Sequence, residues 1–396
     1  MSVEPDPIAA VSTSNVDATK AAKTASKPPA RFAFVDSLRG LAAVSIMIFH
    51  IWWYEPAPFV AISNRLVNDA LLRTRGGVQI LLVISGFVIA YTLRHVWGTW
   101  KETLLFLGRR LVRLVPAYWA AIAIAMLTDY SCRYFWDLPS AVDGHHSVSR
   151  TLAHMTFLQD IFDYDALSAG LWTLCIEMQF YIVAVLGWSI AQRLFPRPDA
   201  TKPRPSATGL LVTFAPLAFA SLFHWRQIAS NDHWVIHFLW MFFLGMLVWW
   251  TLDRTLPKWT FWVVVLIAEI ELFFDAEWRY ENSVALLTAL MIFTAGYYQR
   301  LDVWLNWWPL QYLGRISYSL YLIHFPICHV ISAIGWRWYE DSPTPIQARL
   351  ILFSALVVSM LAAQLMYVLV EAPSARWAAM LKRYETAPPP PAVAAS

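Results

Sequence analysis

The stretch DSLRGLAAVSIMIFHIWWY, Asp36 to Tyr54, places His50 inside an apolar run of membrane-spanning length, eleven residues after Arg39. An ionisable side chain in such a run is expensive to bury and marks a functional site by default. Eleven residues are about three helical turns, so Arg39 and His50 share a face and lie roughly 16 Å apart along the axis. Half a hydrocarbon core is about 15 Å. An Arg39 at the membrane surface therefore puts His50 near the midplane, an imidazole beneath a guanidinium. The imidazole can take a proton or carry a transferred group. The guanidinium can hold a phosphate through paired N–H donors.

Three further stretches carry chemistry-bearing residues. GRRLVRLVPAYW holds Arg109, Arg110 and Arg113 at the start of a span. Such a cluster is either a positive-inside anchor or a phosphate clamp on the cytosolic face, and Arg109 and Arg113 share a face at i, i+4. LWTLCIEMQFYIV carries Glu177 about seven residues inside an apolar segment, with Gln179 and Tyr181 beside it. A carboxylate there must be paired, protonated or facing water; it either locks two helices or orients a buried histidine. LGRISYSLYLIHFPICHV spaces Ser317, Tyr321, His324 and Cys328 into one polar stripe. His324 lies roughly 13 Å inward of Arg315, the depth expected for His50.

Two histidines at matched depth beside a buried carboxylate favour a site over a satisfied core. Small residues at Ser85-Gly86 allow close helix approach. No HExxH, CxxC or His-rich spacing suggests a metal; His145-His146 alone is a weak signal. Cys132, Cys175 and Cys328 do not read as a disulfide framework, with Cys132 expected in a loop.

Residues of this kind need long buried helices to position them, and the composition supplies those. The hydrophobic share is 58% and the charged share 14%, with a mean hydropathy of +0.47. A soluble domain has about 45–50% apolar and about 25% charged residues, so the chain is an all-α polytopic membrane protein. The net charge of +3 is too small to suggest a nucleic-acid partner. About ten segments of spanning length lie near 37–55, 77–95, 110–128, 170–191, 208–225, 234–251, 259–275, 283–299, 312–334 and 348–370. With the N-terminus inside, twenty of the thirty Lys and Arg fall on the cytoplasmic side and nine outside, which favours both termini in the cytoplasm. Residues 1–31 and 379–396 read as disordered tails flanking a membrane domain at 32–378. The longest loop, about 129–169, falls outside, and LAHMTFLQDIF within it reads as a short interfacial helix. A proton-coupled secondary transporter or exporter is the alternative function. The absence of an internal repeat and the cytosolic arginines weigh against it.

The segments DSLRGLAAVSIMIFH, GVQILLVISGF, RRLVRLVPAYW, LWTLCIEMQFY, LGRISYSLYLIHFPI and VEAP occur in this order from the first span to the last. Together they resemble the acyltransferase-3 family of integral membrane acyltransferases, which O-acylate bacterial surface polysaccharides and related molecules. The resemblance implies His50 as the essential histidine, paired in its motif with Arg39. It implies Arg109, Arg110 and Arg113 as the basic motif, Glu177 as the glutamate of the W-x-L-x-x-E-x-Q-F-Y element, and Ser317, Tyr318, Tyr321 and His324 as the SYxxYLxHxP element. It also implies a cytosolic acyl-CoA donor, often acetyl-CoA, with no permanently bound cofactor. On it, His50 would act as base or as covalent carrier, Glu177 or Tyr321 would orient its ring, Ser317, Tyr318 or His324 would polarise the thioester oxygen, and Arg39, Arg109, Arg110 and Arg113 would hold the donor's phosphates. The acceptor implied is a glycan or lipid-linked saccharide, and the location a bacterial inner membrane. Gln79, Leu81-Leu82 and Ala372 depart from the family pattern, which bears on the acyl or acceptor fit. Acyl length, acceptor and oligomeric state are not fixed by it.

Overall fold

The computed structural model describes residues 32–54, 64–96, 98–134, 147–197, 204–274, 279–339 and 343–385. The expected tail at 1–31, the His145-His146 pair and residues 386–396 lie outside the described residues. The described chain is helical, without a β-strand. In order, the helices are α1 (Ala33–Tyr54), α2 (Arg65–Arg73), α3 (Gly77–Leu93), α4 (Trp100–Tyr134), α5 (Val148–Met155), α6 (Trp172–Leu194) and α7 (Ala207–Phe223). There follow α8 (Val235–Leu252), α9 (Lys258–Phe274), α10 (Arg279–Tyr297), α11 (Trp308–Trp338), α12 (Pro345–Met366) and α13 (Ala372–Glu385). Only a helix satisfies all its backbone groups within one apolar segment, so these sequences have no other way to cross a bilayer.

A helix occurs at each of the ten expected spans. Eight stretches of helix are long and apolar enough to cross a membrane. The other two expected spans are α9, which has 17 residues, and α10, which opens on the polar turn RYENS. Several boundaries differ from the sequence expectation. Helix α4 runs through to Tyr134, so Asp129 and Cys132 are buried in a helix and not in a loop. The short outer helix is Val148–Met155, ahead of the LQDIF half of the expected segment. A π-turn at Tyr367–Glu371 joins α12 to α13, and helix continues to Glu385, seven residues into the expected tail.

Among the described residues, buried apolar side chains form two large clusters and a small third one of Cys132 and Ala333. One large cluster gathers α3, α6, α7, α8, α9 and α10, with Phe180 stacked on Phe242. The other large cluster gathers α1, α4, α11 and α12. The most extensive helix pairings are α1 with α11 and α3 with α8. Gly86 and Gly245 make the second possible: each lies against backbone atoms of the opposite helix, where a side chain has no room, as expected at Ser85-Gly86. Ion pairs tie connecting segments together, Arg204 to Asp253 at 2.6 Å and Arg226 to Glu271 at 2.9 Å. Gln179 does the same with its amide. Its Nε2 donates to the His233 carbonyl at 3.0 Å and its Oε1 accepts from Val235 N–H at 2.8 Å, which fixes the start of α8.

Candidate active site

Helices α1 and α11 touch through glycine. A methyl group on Gly40 would stand 2.6 Å from the backbone nitrogen of Gly314, and one on Gly314 would stand 2.7 Å from the carbonyl carbon of Asp36. Backbones this close bring side chains farther along both helices into contact. His50 is ten residues beyond Gly40, and His324 is ten residues beyond Gly314. Equal offsets, about 15 Å along each axis, put the two imidazoles at one level. His50 Nδ1 lies 2.7 Å from His324 Nε2, with the rings 5.0 Å apart and 7° from parallel. His324 is fully buried and its Nδ1 lies 2.9 Å from the Leu320 carbonyl oxygen.

A cavity of about 120 Å³ lies where the two large clusters meet. Arg39 of α1, Arg110 and Arg113 of α4, Ser85 of α3, Glu177 and Tyr181 of α6, Tyr318 and Tyr321 of α11, and Glu371 of the π-turn all face it. Aliphatic side chains of α3, among them Leu81, Leu82 and Val88, complete the wall. Arg110 is held in place: it donates to Thr92 Oγ1 at 3.2 Å and lies over the rings of Tyr181 and Phe106. Among the described residues, Arg39 and Arg113 make no side-chain hydrogen bond or ion pair. Glu177 and Glu371 share the cavity wall but neither is paired with these two guanidinium groups, which leaves their N–H donors open to an anion.

The carboxylates are accounted for within the protein. Glu177 Oε1 accepts from Ser85 Oγ at 3.1 Å and from the Tyr181 hydroxyl. Glu371 Oε2 accepts from Ser319 N–H at 3.2 Å and Ser319 Oγ at 2.6 Å. At the far end of the cavity the Tyr321 hydroxyl meets Thr173 Oγ1 at 2.5 Å. His50 and His324 are not among the residues lining the cavity; the Tyr321 ring, 6.2 Å from that of His324, connects the two. The segment from α5 to the start of α6 supports Tyr321. His154 of α5 donates from Nδ1 to the Arg150 carbonyl at 2.8 Å and accepts at Nε2 from Leu167 N–H at 3.0 Å. Arg150 donates to the Asp165 carbonyl at 3.0 Å. These bonds fix the chain leading into Gly170, which packs against the Tyr321 backbone and ring. Burial holds His154 down to about 4, so it is neutral near pH 7.

The structure brings most of the expected site residues together and reassigns several. Neither Glu177 nor the Tyr321 hydroxyl bonds an imidazole; His324 is the partner of His50. The Ser317 hydroxyl, on the cavity wall, donates to the Gly314 carbonyl at 2.9 Å. Arg109 is not on the cavity wall. Helix α4 presents the i, i+3 pair Arg110 and Arg113 there, and Arg109 lies about 100° around the helix from Arg110. Helix α1 begins about 9 Å before Arg39 and ends about 6 Å after His50. Arg39 thus lies more than one turn inside α1, and His50 about one turn before its end. Glu371 and Thr173 were not singled out from sequence. The signal for Glu371 was present: a carboxylate following the apolar run LMYVLV, and π-turns often occur at functional sites. Among the described residues no three His, Cys, Asp or Glu gather as a metal set would.

Fold and site together define a multi-pass membrane protein with a cation-lined cavity near a pair of imidazoles, His324 buried and His50 partly so. Residues 32–364 match the acyltransferase-3 family model, described as an acyltransferase domain, and the chain belongs to that family. It is 27% identical to the putative membrane-bound transacylase BcsY of Komagataeibacter xylinus over 76% of this chain and 73% of that protein. It is 24% identical to nodulation protein 10 of Rhizobium leguminosarum bv. viciae over 77% and 85%. It is 23% identical to the peptidoglycan O-acetyltransferase OatA of Listeria monocytogenes over 74% of this chain and 49% of that protein. No solved structure matches the chain. The protein is thus a membrane O-acyltransferase.

Proposed function

We propose that the protein moves an acyl group, acetyl in the first instance, from cytosolic acyl-CoA to a hydroxyl of a surface or exported glycan, at a bacterial inner membrane. The observation that carries this reading is the pair of guanidinium groups, Arg39 and Arg113, facing the cavity without an ion-pair partner. The phosphates of a coenzyme A head are the anions such groups bind best. The pantetheine arm then runs along the aliphatic wall of α3 toward Tyr321. For the acyl carbon to meet His50, the Tyr321 hydroxyl must turn from Thr173. His50 takes the acceptor's hydroxyl proton, the oxygen forms a bond to the thioester carbon, and the C–S bond breaks with its electron pair leaving on the coenzyme's sulfur. Attack by His50 itself, with the acyl group passed on from its ring nitrogen, uses the same parts. The names of the relatives OatA and BcsY support acyl chemistry, and that of OatA supports a glycan acceptor.

Acyl-CoA cleavage in membranes carrying the protein, with and without acceptor, tests this. Arg39→Ala and Arg113→Ala should each raise the donor KM by roughly 10- to 100-fold, the loss of one charge-assisted contact. His50→Ala should abolish transfer at an unchanged membrane level. Arginine variants that alter only insertion would make the cluster an anchor, and activity in His50→Ala would remove the imidazole from the chemistry.

A further inference from the structure

The hydrogen bonds of the two histidines fix where their protons sit. The Leu320 carbonyl oxygen can only accept, so His324 Nδ1, 2.9 Å away, carries a proton. His324 is fully buried and no carboxylate bonds it. A charged ring would be costly there, so the ring is neutral and carries no second proton. Its Nε2 then presents a lone pair to His50 Nδ1 at 2.7 Å. A lone pair at that distance requires a donor, so the proton of neutral His50 is on Nδ1 and its basic lone pair is on Nε2.

We propose that His324 is a positioning residue that holds His50 as its Nδ1–H tautomer and commits His50 Nε2 to the reaction. The inference rests on His50 acting as base or carrier, and it adds which nitrogen reacts and what selects it. It also removes one role expected for His324. Its only N–H donates to Leu320, so none remains to polarise a thioester oxygen. In the reaction, Nε2 accepts the hydroxyl proton while Nδ1–H keeps its bond to His324. The positive charge that forms on His50 is thereby met by the lone pair of its neighbour. The glycine crossing sets the ring-to-ring distance, and the Leu320 carbonyl, one turn back on α11, sets the orientation of the second ring.

Two measurements test this on the full-length protein in nanodiscs. The first is ¹⁵N NMR of histidine-labelled protein, with His50→Ala supplying the assignment among the ten histidines. The expected signature is a proton-bearing Nδ1 and a lone-pair Nε2 on His50, turning into a mixture in His324→Phe. The second is kinetics. His324→Phe should lower kcat by about 100-fold or more, in the range of general-base contributions, with donor KM changed less than twofold. His324→Gln, whose amide oxygen can take the place of Nε2, should recover a substantial part. A lone pair on His50 Nδ1 in the unmutated protein, or His324→Phe with undiminished kcat at normal membrane level, would overturn the relay. Transfer surviving in His50→Ala would instead overturn the proposed chemistry and leave the tautomer measurement standing. The two failures are therefore distinct.

Discussion

Glu177 faces the cations of the cavity, not the imidazole pair, and its two hydrogen-bond donors, Ser85 and Tyr181, hold it there. It lines the same cavity as Arg110 and Arg113. Glu177→Gln keeps an acceptor oxygen for both donors and loses the charge. Charge-assisted bonds exceed neutral ones by about 1–1.5 kcal/mol, so turnover should fall roughly tenfold while membrane level stays near that of the unmutated protein. Loss of abundance without loss of turnover per molecule would make it a structural pairing. At this scale the sequence showed which side chains were out of place in apolar runs: His50, Glu177, His324 and the arginines. It did not show their partners. A polar residue's depth follows from its position in one span, but its neighbour follows from how spans pack. His50 and His324 were legible singly and their pairing was not. Arg109 failed for a related reason: spacing placed it on a face with Arg113, and only the neighbouring helices decide which side of α4 meets the cavity.

At the scale of elements, the loop between α5 and α6 acts as a strut. His154 closes it through two backbone hydrogen bonds, and Nε2 can accept from Leu167 only while unprotonated. The folded protein holds His154 at about 4 against an ordinary 6.5. Between those values the unfolded chain binds more proton than the folded one, so stability rises with pH across that window. The contribution is fully present above about 6.5 and is lost as pH falls toward 4. Melting temperature in detergent should decline over that range, and His154→Gln should flatten the decline. An equal slope in the variant would place the titrating group elsewhere. The loop was read from sequence as a connection with one interfacial helix. Its role as a support for Tyr321 depends on Gly170 reaching α11, a contact across more than a hundred residues that periodicity in either segment cannot reveal.

At the scale of the molecule, the all-helical membrane architecture was plain from composition, because apolar stretches of about twenty residues have few other uses. The number of crossings was less so. Helices α9 and α10 sit at the margin of length and apolarity, and ten crossings with both ends in the cytoplasm need both of them. Reporters fused near Ala33 and after Glu385 should therefore read out on the same, cytosolic, side. Readout on opposite sides would take one of that pair out of the bilayer.

The contact between His50 and His324 joins residues 274 apart, one on α1 and the other on α11. At roughly 5–20 residues per second of synthesis, some 14–55 s separate their emergence from the ribosome. Throughout that interval the first helix lacks the ring that meets His50 in the finished fold. On the proposed chemistry, an incomplete chain carries the arginines of α1 and α4 but not the imidazole pair, so transfer waits for α11 to insert.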